Sequence, residues 1–282
     1  ERDDDIAWEN ETGGYRVYGP ATQAKGERGY GYDLFFKYAG DPVVEQLYAA
    51  QCSHDNWRKV DSLRKIDTKL AKEFENSFTY HIDHGKGMDC YAVGPTLGAG
   101  IAAPLLADSI LAFPWCYKKA EIVDNGPLRF TLALEFEPRA IGGDSAVVER
   151  RLITLDAGAL LNRCQVSYQG LSQPISVAAG FPLRDETPAV ADLSGVVAYS
   201  DPTQGKENGR AYLGIVAPEG FSSTSGAQKH VLGVAEMAPD ATFDYQWGFV
   251  WDGNQPGITF DSWVEMLHQQ AHAKPLKASI LK

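Results

Sequence analysis

Arg129-Phe130-Thr131-Leu132-Ala133-Leu134-Glu135-Phe136-Glu137 alternates polar and apolar side chains with a period of two. Phe130, Leu132, Leu134 and Phe136 fall on one strand face, and Arg129, Thr131, Glu135 and Glu137 on the other. The run 159–169 repeats the pattern, with Arg163, Gln165 and Ser167 opposite Cys164, Val166 and Tyr168. Short segments of the same kind follow at 175–181, 195–199, 211–216, 229–235 and 243–250. Turn residues separate them, as in Gly142-Gly143-Asp144, Asp156-Ala157-Gly158 and Asp201-Pro202. Evenly spaced short strands with turns between them specify a sandwich or barrel rather than βαβ units.

Working outward, two helical patterns punctuate the strands. Trp57, Val60, Leu63, Leu70 and Phe74 give partial helical spacing in a charge-laced segment. Phe260, Trp263, Val264 and Leu267 repeat at i, i+3, i+4 and i+7, with Pro275 beyond the end. Both read as amphipathic cover for a sheet. No internal repeat, low-complexity tract or linker interrupts the chain. The expectation is one all-β domain over residues 1–282, mainly antiparallel, with a few covering helices.

The chain has 282 residues, with 26 Lys+Arg against 37 Asp+Glu, a net charge of −11. Forty-four per cent of it is apolar, too much for a disordered acidic segment. No stretch approaches the roughly 18 apolar residues of a membrane helix. The net charge has the wrong sign for a nucleic-acid binder, so neither nucleic acid nor membrane is an expected partner. Oligomeric state is not legible. Cys52, Cys90, Cys116 and Cys164 form no CxxC pair, which disfavours structural zinc and reads as small buried hydrophobes, with one disulfide open to an exported chain. The opening Glu1-Arg2-Asp3-Asp4-Asp5 carries no initiator Met and no signal-peptide core, which fits a mature secreted form or a trimmed fragment.

Candidate chemistry is densest in Tyr80-His-Ile-Asp-His-Gly-Lys-Gly-Met-Asp-Cys-Tyr-Ala-Val-Gly-Pro-Thr-Leu-Gly-Ala-Gly100. His81 and His84 stand three residues apart beside Asp83, Lys86, Asp89 and Tyr91. Glycines there permit tight turns and close approach of a ligand to the backbone. The segment can supply a base, an acid and a cation. A divalent metal such as calcium or zinc on His81, His84 and an aspartate is the competing use, but HxxH lacks a third ligand, and the expectation is no cofactor and no metal. Phosphate-loop, GxSxG and HExxH signatures are absent. At the N-terminus, Trp8 and Asn10 stand among Glu9, Tyr15, Arg16 and Tyr18, on an edge strand or as a lining for sugar hydroxyls. Arg129, Arg151 and Arg163 fall on consecutive strand candidates and could clamp a carboxylate. Trp247 and Trp251 are core residues or a stacking wall for sugar faces.

The YHIDHGKGMDCYAVGPTLGAG run resembles the hallmark of a bacterial family known only as a domain of unknown function. The DDIAWENETGGYRVYGP opening, the DNGPLR turn and the segment around Trp247 fit the same family. Its genes often lie in polysaccharide-utilisation clusters, and its members usually carry further sequence before the point where this chain begins. The resemblance implies a galactose-mutarotase-like β-supersandwich, a periplasmic or secreted location and an anionic oligosaccharide partner. It also implies dehydration of uronic-acid oligosaccharides, as in breakdown of the algal polysaccharide ulvan. In a β-elimination of that kind, Arg129 or Arg163 holds the carboxylate and His81 or His84 is the base. Tyr91 or the other histidine is the acid, and His230 is in reserve. Trp8, Asn10, Lys86, Arg163, His230, Trp247 and Trp251 would contact substrate. The alternative is a carbohydrate-binding supersandwich or a mutarotase-like epimerase.

Overall fold

The alternating segments pair into three sheets in which every strand pair is antiparallel, as a computed structural model of residues 2–273 shows. The largest sheet has nine strands. Across it run β7 (Tyr117–Asn125), β8 (Arg129–Phe136), β10 (Asp144–Asp156), β11 (Leu161–Gln169) and β18 (Thr242–Trp251). It continues through β15 (Ala211–Val216), β14 (Val196–Asp201) and β13 (Ala189–Ala191), with β9 (Arg139–Ile141) beside β10. A five-stranded sheet has the order β16 (Ser223–Ser225), β17 (His230–Met237), β12 (Ile175–Pro182), β5 (Ala102–Leu106) and β6 (Ile110–Leu111). A four-stranded sheet orders β1 (Ile6–Glu9), β2 (Gly14–Val17), β3 (Asp33–Lys37) and β4 (Gly87–Met88). The architecture is an all-β sandwich with a few helices.

One buried cluster joins the inner faces of all three sheets. Leu132, Leu134, Ile153, Val166, Leu213 and Trp247 come from the nine-stranded sheet. Val177, Phe181 and Leu232 come from the five-stranded one, and Trp8, Tyr15, Leu34 and Phe36 from the four-stranded one. Each such side chain contributes about 1.5–3 kcal/mol by leaving water. The aromatic content is concentrated here. Trp247 stacks on Tyr32 with centroids 4.1 Å apart, and Trp8 meets both rings edge-on.

The late helical pattern forms α5 (Phe260–His272), capped by Thr259, whose side chain accepts the Ser262 N–H. It packs Trp263 and Leu267 on the outer face of β14, β15 and β18. Gly214 makes that approach: a Cβ there would stand 2.7 Å from Leu267 and 2.8 Å from Trp263. Pro275, read as the stop of this helix, lies outside the described residues. The earlier pattern breaks into α3 (His54–Arg64) and α4 (Thr68–Asn76), because Asp67 turns and caps α4 through the Lys69 and Leu70 N–H groups. Two further helices, α1 (Pro20–Ala24) and α2 (Val44–Gln51), come without a strong periodic signal.

Strand β2 differs from the edge reading. It lies between β1 and β3, and all four of its residues are buried. The reason is Arg16. Its guanidinium is buried between Asp33 and Asp89, bonded to Asp89 at 2.8 Å and to Asp33 through Nε at 2.9 Å. The hydroxyls of Tyr18, Tyr48 and Tyr80 accept its remaining N–H groups at 3.0, 3.3 and 3.4 Å. Charge pairing lets a polar face stay inside.

Two carboxylates share one cation, and burial with the Asp33 charge pushes the Asp89 carboxyl up to about 6, against the pull of Arg16. A raised carboxyl pKa means that the folded chain holds a proton the unfolded chain has released. This group's stabilisation is therefore present at low pH and fades as pH rises from about 4 through about 6. Arg16→Met is expected to cost about 3–5 kcal/mol in urea unfolding, because it strands buried carboxylates. Arg163→Ala, on an exposed pair, should cost under about 1 kcal/mol. Asp89→Asn should flatten the slope of stability between pH 4 and 7.

Candidate active site

The 80–91 segment is a self-bonded loop. Asp83 Oδ1 accepts the N–H groups of Gly85, Lys86 and Gly87 at 2.8–3.1 Å, and Tyr38 donates to its other oxygen at 2.7 Å. His81 Nδ1 lies 2.8 Å from the Asp89 carbonyl, and His84 Nε2 lies 3.2 Å from that of Thr79. Lys86 donates to Gln46. Gly87, at φ +117°, crosses so close to β3 that a Cβ would meet the Phe36 oxygen at 2.0 Å. Asp89 then plugs into Arg16, and the Cys90 carbonyl accepts the Gln204 N–H at 2.8 Å. His81, His84 and Lys86 sit on the exposed rim of this loop. Among the described residues no group of three or more His, Cys, Asp or Glu gathers as metal ligands. All four cysteines are free, Cys90 and Cys164 buried and the others half-buried.

What the loop delivers is Tyr91. Its ring is buried against the Arg184 guanidinium, whose carbon lies 5.4 Å from the ring centroid. Its hydroxyl is buried without a hydrogen-bond partner among the described residues. Burial and the Asp201 charge hold that phenol protonated, well above its usual pKa, although Arg184 opposes them. Arg184 donates through Nε to Asp201 at 3.2 Å, and Asp201 also accepts the Thr203 N–H at 2.8 Å. Burial raises the Asp201 pKa and Arg184 opposes the rise. Arg210 donates to Ser200 Oγ at 2.7 Å and reaches Asp185 at 3.5 Å. Arg184 and Arg210 keep 25% and 31% of their side chains exposed, so this cluster opens to solvent on the arginine side.

His230 stands at the neighbouring strand end, within reach of the Arg184 charge. It pairs in register with Pro182, two residues before Arg184, and its Nε2 accepts the Leu97 N–H at 3.4 Å. Its Nδ1 lies 2.9 Å from the Gln228 carbonyl. A carbonyl only accepts, so Nδ1 carries the hydrogen and the Nε2 lone pair accepts the Leu97 N–H. Burial lowers the His230 pKa, and Arg184 adds to that against its backbone bonds. The protonated phenol of Tyr91 thus lies against a part-exposed guanidinium whose charge also reaches His230.

The remaining candidate residues go elsewhere. Arg129 pairs with Asp156 at 2.9 Å, and Arg163 with Asp244 at 3.0 Å. Both line a groove of about 590 Å³ between α5 and the outer face of the nine-stranded sheet. Arg151 does not join them. One residue out of phase, it points inward and is buried on Glu149. Trp8 is buried and donates to Asn162 at 2.8 Å, and Asn10 donates to the Asp156 and Ala159 carbonyls. Trp247 and Trp251 are buried, so neither forms an open stacking wall. Trp251 instead donates to the Asn208 carbonyl at 2.7 Å, fixing the loop that follows Asp201.

Sequence reading missed Arg184, Asp201 and Arg210. The signal for Arg184 was its place as the first charged residue after a mostly apolar strand, at a strand end where functional side chains collect.

The fold and this cluster define a β-sandwich protein with a buried tyrosine against one of two part-exposed arginines. The chain belongs to the family described as Domain of unknown function (DUF4861), which matches residues 1–277. It is similar to "Uncharacterized protein P7" of Formosa agariphila, 26% identical over 293 aligned positions that cover 99% of this chain and 68% of that protein.

Because its hydroxyl is unpartnered, Tyr91→Phe should leave stability in urea unchanged or raise it by up to about 1 kcal/mol. A Tyr91 with a structural bond would lose stability instead. An NMR titration of His230 should show an Nδ1–H tautomer and a midpoint below the ordinary imidazole value of about 6.5.

Proposed function

We propose that the protein is a carbohydrate-active enzyme that carries out β-elimination on uronic-acid-containing oligosaccharides, releasing water or a sugar. The observation that carries this reading is the buried, unpartnered Tyr91 hydroxyl against Arg184, whose charge also reaches His230. Elimination needs a cation on the carboxylate, a base at C5 and an acid at the C4 oxygen. Arg184 binds the carboxylate and acidifies the C5 proton, with Arg210 next to it. The lone pair of His230 Nε2, on giving up its long bond from the Leu97 N–H, removes that proton. The C5–H electrons form the C4=C5 double bond, and the C4–O bond breaks as Tyr91 protonates the leaving oxygen. The imidazolium proton then returns to the tyrosinate, so the residues are regenerated.

His81 and His84 do not share a groove with Arg129 or Arg163, which moves the base from the hallmark motif to His230. The family resemblance supports the substrate class and a source such as ulvan, and a mutarotase-like sandwich in a periplasmic or secreted enzyme suits that substrate. A second reading, a carbohydrate-binding sandwich without turnover, draws on the outer groove. Arg129 and Arg163 line it, and no histidine or tyrosine does.

Incubation with a panel of saturated uronate oligosaccharides should give products with the ultraviolet band of unsaturated uronates. Their masses should show loss of one water or chain cleavage. Tyr91→Phe should lower kcat about 10²–10⁴-fold, and Arg184→Ala should raise KM as well. The rate should fall only below pH about 6.5, as His230 is protonated, and its alkaline limb should lie above the ordinary tyrosine value of about 10. Full activity in Tyr91→Phe sinks the assignment, and no turnover across the panel favours the binding module.

A further inference from the structure

A row of aromatic rings runs from the surface to His230, in a stretch that the proposed chemistry does not use. Trp115 lies in the irregular segment Ala112-Phe113-Pro114-Trp115-Cys116 between β6 and β7, and 52% of it is exposed. Its ring centroid is 5.9 Å from that of half-buried Tyr30. Tyr30 stacks on Phe113 at 5.8 Å, and Phe113 lies 6.3 Å from the His230 ring. Trp115 also borders a recess of about 330 Å³, lined as well by Pro20, Tyr117, Phe136 and Arg139. That volume lies at the lower end of small-ligand sites.

The row has a direction. It ends at the candidate base and is held there, since the Tyr30 N–H donates at 3.4 Å to Gly94 in the loop that begins with Tyr91. Successive rings stand 5.8–6.3 Å apart, the contact distance of packed aromatic pairs, so the row is continuous. Apolar C–H faces of sugars pack on aromatic faces, while their hydroxyls turn to water.

We propose that Phe113, Tyr30 and Trp115 form an extended binding track for the sugars next to the reacting uronate. The second sugar lies along Phe113 and Tyr30, and a third stacks on Trp115 at the mouth of the recess. Trp115 then sets a preference for oligosaccharides longer than two sugars. This inference rests on the elimination site proposed above for the placement of the first sugar.

The test uses saturated oligoglucuronates and oligogalacturonates of two, four and six sugars. Dissociation constants are measured by titration calorimetry in the full chain carrying Tyr91→Phe, which slows turnover, with and without Trp115→Ala. Affinity should rise from two to four sugars on the parent. Trp115→Ala should weaken four-sugar binding on the order of ten-fold and bring the four-to-two ratio near one, and Trp115→Phe should restore part of it. A flat length dependence, a ratio unaltered by Trp115→Ala, or no binding by any member overturns the track. Length-dependent binding with no elimination by the wild type leaves the track standing and removes the enzymatic reading. Elimination without length dependence does the reverse.

Discussion

The guanidinium of Arg16, buried between Asp33 and Asp89, is the constraint on which the path of the chain around the site depends. It draws one strand face of β2 into the interior, orders the hydroxyls of Tyr18, Tyr48 and Tyr80, and anchors the end of the 80–91 loop. Two residues past the anchored Asp89 comes Tyr91. Buried ion pairs add little net stability over an apolar core, because desolvation offsets the Coulomb gain. What this one supplies is position. With Asp89 fixed on Arg16 and Gly87 pressed onto the Phe36 oxygen, the chain runs on to set Tyr91 against Arg184.

The cluster at that exit differs in kind from the other charged groups. Arg129 and Arg163 lie flat on the sheet in exposed carboxylate pairs that water screens. Arg184 instead spans a buried aspartate and a buried phenol. Burial pushes the two candidate proton carriers in opposite directions, leaving His230 neutral and Tyr91 protonated across the neutral range. That arrangement is what acid–base chemistry requires of two groups working in one step. The net charge of −11 is no obstacle there, since two arginines locally balance Asp185 and Asp201.

Much of the fold was legible in the sequence, because alternation reports the face that each residue presents. The segments around Phe130, Val166, Leu213 and Trp247 all became strands of one sheet. Strand β7 carries no alternation, because it is an exposed edge with two register shifts. Arg16 misled for a different reason. Its burial depends on Asp33 and Asp89, remote in sequence, and no local pattern carries that pairing. The same holds for the site. Tyr91 and His230 were visible as reactive residue types, but Arg184 and Asp201 reach them only through the packing of strand ends. The histidine-rich motif drew the eye to His81 and His84, whereas its bonds show a loop that positions its neighbour.

The most direct measurement is a crystal structure of the Tyr91→Phe protein soaked with a saturated uronate tetrasaccharide. The sugar carboxylate is expected within hydrogen-bond distance of Arg184, with C5 facing His230 Nε2. The C4 oxygen should lie beside the ring edge at position 91, where the tyrosine hydroxyl stood. An oligosaccharide seated instead in the outer groove on Arg129 and Arg163, with the Arg184 cluster vacant, would contradict that placement and the chemistry built on it.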